Sequence, residues 1–521
     1  MNEQPRRKLH ELVARHGQSV VGDARRFEGL LKDYAGEHRR EVSVLVSALE
    51  EQVPQDMLAA PADTPREVLL ARMARRLSDN RALSDPAAAW AVNSWALALG
   101  LISGDELNSF ESRDAGRTRA DVGHVGDTNR AAGEVTLTAP GGAVAPARTG
   151  ATSQAQAGAS SVVVSANGGG DYASIGEALA AVAPGARVLV RPGLYQESVV
   201  LDKRVELVGD GPRDEIIVRG SAASCLQTRA DGARVAGLTL RGAAAGEAAF
   251  FAVDVAGGEL LLEDCDVTSD TLSCVAVHGP EAAPLIRRCR IHDGADSGLF
   301  FFDGASGAVE DCEVAGHANV GVAVTGQASP SVRRSRIHGG GNAGLVVWQG
   351  ATALVEECEI YGNRLAGVGV SDGAKLTARA CRIREGGNSG VFVHGEGEAV
   401  LEGCELYGHR EPEAAVTTGG RLFLNGCRVR SGHDTGVFVR EGGQALLQAC
   451  EVDGNAGAGA SVGTGSVLAV LASRINGNAR HAVEVASGAN ARVEDTDLTG
   501  NALGAWDVER GASVESERNQ E

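Results

Sequence analysis

Cysteine and histidine are the residues here that most directly invite chemistry: ten Cys and twelve His in 521 residues. Eight of the cysteines share one column. Cys265, Cys289, Cys312, Cys358, Cys381, Cys404, Cys427 and Cys450 recur at 24 residues and then 23, with Ser335, Ser473 and Thr496 filling the same column. Stacked thiols suggest a disulfide or a metal ladder. Zinc sites draw on close Cys pairs, however, and the chain has no CxxC. Ser and Thr replacing Cys mark a small inward position, so reduced, buried thiols are expected. His317 and His409 share a position four repeats apart, and His292 and His338 lie two repeats apart. These spacings are too long for one ion, so neither a metal nor a cofactor is expected.

Carboxylates are the next candidates, for acid–base work. One residue after the Cys column runs Asp266, Arg290, Glu313, Arg336, Glu359, Arg382, Glu405, Arg428, Glu451, Arg474, Asp497. A second column reads Glu263, Arg287, Glu310, Arg333, Glu356, Arg379, Glu402. A catalytic acid pair should share a face without an intervening cation. Here nearly every acid lies between two arginines, which lowers its pKa and suits structure better than acid catalysis. No catalytic residue is assigned.

The elements that position these residues follow from the period. A repeat of 23 residues with an unbroken aliphatic column (Val267, Ile291, Val314, Ile337, Ile360 and onwards) is that of a solenoid. Each coil divides into three short strands. One holds the Cys, the charge and the aliphatic, with Cys and aliphatic inward. A Gly-Asn turn follows, as at Gly362-Asn363 and Gly454-Asn455, both residues tolerating positive φ. The second strand is Gly-aliphatic-x-aliphatic, and the third carries another inward aliphatic. Neighbouring coils lie about 4.8 Å apart. Slipping by one coil would put like charge on like, so the alternation sets register and makes two coils the true unit.

Two rows of outward residues are candidate binding residues. On the second strand, Phe300, Phe392 and Phe438 alternate with small residues, with Trp348, His394 and Arg440 beside them. This row suits docking of a partner or a sugar ring. On the first strand, Tyr361, Arg384, Tyr407 and Arg430 form a cation–π ladder.

Residues 1–110 read as helices. Thr64-Pro65 is a helix start, and Trp90 and Trp95 are expected core anchors. Residues 111–159, rich in Gly, Ala, Ser, Thr and Pro, read as a disordered linker. Residues 160–521 hold 30 basic and 47 acidic residues, so this part carries most of the net charge of −19. An acidic body repels polyanions, which weighs against nucleic acid and anionic polysaccharide. No stretch is apolar enough to span a membrane. The start MNEQPRRKLH lacks an apolar h-region, so no secretory signal is expected, and the chain reads as cytoplasmic.

The segment SIGEALAAV followed by RPGLYQE, with Gly193, Tyr195 and Glu197, resembles the opening of right-handed parallel β-helices, including the pectinesterase group. That resemblance implies an N-terminal cap over about 160–185. The coils resemble the β-helix repeats of the NosD-like, pectin-lyase-like group. Later pectinesterase segments are absent, as are the polygalacturonase, pectate-lyase and epimerase signatures. The stretches RRFEGLLKDYAGEHRREVSVLVSAL and AAAWAVNSWALALG resemble small helical modules of bacterial multidomain signalling or defence proteins, which implies protein–protein contact.

The expected fold is an all-β right-handed parallel β-helix, with coils of about 23 residues and three short strands each, preceded by a small α-helical domain. The expected function is a non-catalytic binding scaffold. Residues 1–110 would recruit a protein partner, and the β-helix outer face would bind protein or polysaccharide. The alternative is a carbohydrate-active enzyme, a lyase, epimerase or hydrolase with a diverged site.

Overall fold

The computed structural model describes residues 161–521 except 221–222 and 244–248. Before them it describes residues 6, 8, 9, 13, 44, 45, 47–49, 53–59, 70, 72–77 and 85–99. The linker expected over 111–159 and the helix start at Thr64-Pro65 lie outside the described residues. The chain divides into two compact units, Met1–Glu134 and Val135–Glu521.

In the first unit, helices Val53–Ala59 and Asp85–Ala98 pack with Leu9, Leu45, Leu49, Met73 and Leu77. Trp95 is fully buried and its Nε1 donates to the Leu45 carbonyl at 3.1 Å. Trp90 is buried beneath the Arg6 guanidinium, 5.4 Å from its ring centre. Both tryptophans are core anchors, as their spacing suggests. No described helix is long and apolar enough to cross a membrane.

The second unit is a parallel β-helix of about 15 coils, whose strands stack into sheets of 16, 14 and 13 members. We name these sheets A, C and B. Each coil visits A, then B, then C, as in Leu260–Glu263, Asp266–Ser269 and Val275–His278. Every inward column joins one continuous core from Val164 to Leu498. At the start, helix Ile175–Ala181 buries Ile175, Ala178 and Leu179 against that core. Ser174 caps it, and Glu197 accepts from the amides of Ile175 and Gly176 at 2.9 and 2.8 Å. Buried Tyr195 donates to the Arg191 carbonyl at 2.8 Å. Tyr195 and Glu197 of the opening motif therefore hold the helix and first coil together.

The charge columns are in register as expected. Asp266 faces Arg290, Arg290 faces Glu313, and the alternation continues coil by coil to Arg428 and Glu451. On sheet A, Glu263 faces Arg287 and the pattern runs to Arg379 opposite Glu402.

Two local expectations are corrected. The eight column cysteines are not on a strand. Each sits at the corner between sheets A and B, and the sheet B strand begins at the charged residue that follows it. The residue before each of them has positive φ, as at Asp264 (53°), Arg288 (51°) and Glu357 (54°). The column does more than pack. The Ser335 hydroxyl accepts from the Cys312 amide at 3.1 Å, and the Cys358 thiol accepts from the Ser335 amide at 3.5 Å. Each side chain thus meets a corner amide of the preceding coil, which explains why Cys, Ser and Thr interchange where Ala or Val would not.

The Gly-Asn turns are the second correction. Gly362, Gly454, Gly477 and Gly500 have positive φ, but the asparagines that follow do not. Asn363, Asn455 and Asn478 are buried and form a ladder instead. Asn478 Oδ1 accepts from the Asn455 amide at 3.1 Å, and Asn478 Nδ2 donates to the Val452 carbonyl at 3.2 Å.

Candidate functional site

The aromatic row lies on the outer face of sheet C. Phe300, Ala323, Val346, Gly369, Phe392, Ala415, Phe438 and Ser461 face one another in successive coils. The large residues lie half-buried. Phe300 stacks on Phe302 at 4.6 Å, and Phe302 stacks on His278 at 4.9 Å. Phe300 and Trp348 come from coils two apart, yet their rings are parallel within 7° at 6.4 Å. Between them Ala323 and Thr325 are only 3% and 5% exposed, so the rings lean over the small coil and cover it. Phe392 meets His394 at 4.9 Å, and the Arg440 guanidinium stands 5.5 Å over Phe438. Burial holds His394 below the usual histidine range. The six residues expected here are therefore gathered on one face, as a ring stack at Phe300 and Trp348 and two pairs, Phe392 with His394 and Phe438 with Arg440.

The Tyr and Arg row lies on sheet B and forms no common site with the first. Arg384 covers Tyr361 at 4.1 Å, with His338 stacked on the other neighbour's side at 4.6 Å. Arg430 covers Tyr407 at 4.7 Å and also binds Glu405 at 2.8 Å. The stacks are two pairs, Arg384 on Tyr361 and Arg430 on Tyr407, where the spacing suggests one continuous ladder.

Sheet B also carries a cluster not singled out as a set by sequence. His292 Nε2 is 3.0 Å from Asp266 Oδ1, and its Nδ1 is 2.7 Å from Asp293 Oδ2. Arg213 and Arg290 approach Asp266 at 4.0 and 3.9 Å. The hydrogen bond to Asp266 raises His292, with Asp293 adding to it. Burial would raise Asp266, but the His292 hydrogen bond and the two arginines bring it below the usual range. The signal was the pair His292 and Asp293 standing just after Arg290 of the charge column.

Other acids are closed by cations. Glu263, nearly buried, takes Arg234, Arg287 and Arg288 at 2.6, 2.7 and 2.8 Å. An opening of about 380 Å³ at the last corners, between Ser473 and Gln520, is lined by Asp495 and Asp497. These pair with Arg518 at 2.6 Å and Arg474 at 3.8 Å. The ten cysteines are all free and buried. Burial pushes the Cys225 thiol up to about 12, which suits an inert packing group.

No curated protein matches the chain. Among solved structures, the periplasmic alginate epimerase AlgG is similar at 12% identity and TM-score 0.40, over 64% of this chain and 76% of that one. The mannuronan C-5 epimerase A-module AlgE6 of Azotobacter vinelandii is similar at 16% and 0.37, over 66% and 92%. The catalytic domain of a GH87 α-1,3-glucanase with nigerose is similar at 14% and 0.36, over 69% and 70%. The family model described as the right handed beta helix region matches residues 228–379 and 366–520. The stacked parallel sheets and that match together make this chain a member of the right-handed β-helix family.

Proposed function

We propose that the β-helix is a rigid, non-catalytic binding scaffold, with the outer face of sheet C as its binding face and an uncharged, elongated glycan as the ligand class. Residues 1–110 would recruit it to a protein partner. The observation that carries this reading is the row of half-buried rings Phe300, Trp348, Phe392 and Phe438, one in every second coil of sheet C. Flat rings offer apolar faces to sugar rings at low entropic cost. The acidic body disfavours a polyanion. The adjacent sheets support a passive role, since their carboxylates are held by arginines in register.

The test is co-sedimentation of the full chain with insoluble neutral and anionic polysaccharides. Capture by a neutral polymer is expected, with loss in the Phe392→Ser, Phe438→Ser double variant and a small change in thermal midpoint. Equal capture by that variant would overturn the reading.

A second reading, a carbohydrate-active enzyme, is favoured by the Asp266–His292–Asp293 cluster with Arg213 and Arg290. An arginine pair beside an imidazole and two acids has the charges needed to hold a sugar carboxylate and move a proton. It ranks second because both imidazole nitrogens are already engaged by carboxylates.

A further inference from the structure

At the C-terminal end of the sheet C column the rings give way to acids. Ser461 faces Glu484, and Glu484 faces Asp507. Carboxylates opposite each other in neighbouring strands repel. Elsewhere such a pair is answered by cations: Glu494 faces Glu517, with Arg492 at 2.7 Å and Arg518 at 3.8 Å from Glu494. Glu484 has one exposed cation, Arg480 at 2.8 Å, and beside it stands His481. One ligand atom from each of His481, Glu484 and Asp507 lies within 4.8 Å of the other two.

We propose that His481, Glu484 and Asp507 form a binding site for a divalent transition-metal ion such as zinc. His481 Nδ1 and Glu484 Oε1 are both shielded from solvent; the imidazole nitrogen makes no hydrogen bond, whereas the carboxylate oxygen is paired with Arg480. They lie 3.6 Å apart, too far to bond each other. Two ligands on one tetrahedral zinc, each about 2.0–2.1 Å from the metal, sit about 3.3 Å apart. A small closure therefore brings this pair onto one ion. The Asp507 carboxylate, on the next coil and exposed, supplies the third ligand and leaves the remaining positions to water. One imidazole nitrogen with two carboxylates is a borderline donor set, suited to zinc rather than to calcium or magnesium, which take oxygen shells.

Arg480 is the competitor. Its Nε lies 2.8 Å from Glu484 Oε1 as an ion pair, and its side chain is 54% exposed, so it is free to swing into solvent when the ion enters. The site stands on its own geometry and does not depend on glycan binding at the aromatic row.

The experiment is calorimetric titration of the full, tag-free chain with zinc alone after chelator dialysis. About one equivalent is expected to bind. His481→Gln and Asp507→Asn are each expected to weaken binding by about tenfold or more, because each removes one of three protein ligands. Arg480→Ser is expected to tighten it several-fold, a gain that misfolding cannot imitate. Cobalt titration adds an independent reading: a visible d–d spectrum in the wild type that is lost in His481→Gln. An unchanged isotherm in His481→Gln, no tightening in Arg480→Ser, or no binding by the wild type at millimolar zinc would each overturn the site.

Discussion

Glu413 occupies the space that Gly432 leaves open. In other coils the residue at the position of 413 is small, Gly344 and Gly436 among them, because the next coil presses an Asn side chain against it. A Cβ at Gly344 would stand 2.7 Å from Asn363 Nδ2, and one at Gly436 would stand 2.9 Å from Asn455 Nδ2. At Glu413 the next ladder position is Gly432, so the carboxylate fills the gap from below. Its Oε1 accepts from the His409 amide at 2.8 Å, the bond a ladder asparagine would have made. Its Oε2 pairs with His409 Nδ1, and both side chains are fully buried.

That exchange predicts a double-mutant cycle. Glu413→Gly alone leaves a buried imidazole and amide without partners and is expected to cost about 3 kcal/mol. Gly432→Asn alone puts its Cβ 2.7 Å from the Glu413 carboxylate and is expected to cost roughly 1–3 kcal/mol from overpacking. The double variant restores the ladder and is expected to return to within about 1 kcal/mol of the wild type. Denaturant unfolding of the four proteins measures the coupling. Additive losses would show that the two positions act separately.

His317 supplies a pH dependence with a definite sign. It is a ladder member, with Nδ1 accepting from the Gly294 amide at 3.0 Å and Nε2 donating to the Ile291 carbonyl at 3.1 Å. Burial lowers its pKa to about 4. A depressed pKa gives stability that is present above the unfolded value, about 6.5, and is lost as pH falls through about 4. The loss is on the order of 3 kcal/mol. His317→Asn keeps both hydrogen bonds without a titrating group. Its thermal midpoint is expected to match the wild type at pH 7.5 and to exceed it at pH 4.5. The same pH dependence in both proteins would assign the acid lability elsewhere.

The cysteine corner predicts a hierarchy of substitutions. Cys358→Ser keeps an acceptor for the Ser335 amide and follows the precedent of Ser335 and Ser473. It is expected to cost less than about 1 kcal/mol. Cys358→Ala leaves that amide unpaired and is expected to cost about 1–3 kcal/mol. Thermal unfolding in reducing buffer compares them. Equal stability of the two variants would return the column to simple packing.

Repetition explains which features the sequence made legible. Identical positions in successive coils become neighbours, so the inward aliphatics, the Asp266–Arg290–Glu313 alternation and the Phe300–Phe438 row all follow from spacing. Handed local geometry does not. The positive φ at Asp264 and Arg288 moves the Cys off the strand, and no spacing rule marks such a corner in a non-glycine residue. Gly-Asn reads as a turn pair because Asn tolerates positive φ, and only the stacked coil shows Gly taking that role while Asn turns inward. The His292 and His481 clusters join residues from different columns, so each column taken alone hides them.

Catalysis and binding separate at His292. Its two nitrogens are occupied by Asp266 and Asp293, and the raised pKa keeps it protonated further up the pH scale, which opposes use as a base near neutrality. The full chain, incubated with neutral and uronate-containing polysaccharides, is therefore expected to release no reducing ends and no unsaturated products. If products do form, the second reading makes a specific demand. His292→Gln and Arg290→Gln should each reduce turnover by about 100-fold or more, while Phe392→Ser on the other sheet should leave kcat unchanged. Turnover that survives both sheet B variants would exclude this cluster as the centre. Turnover abolished by them would replace the scaffold with an enzyme.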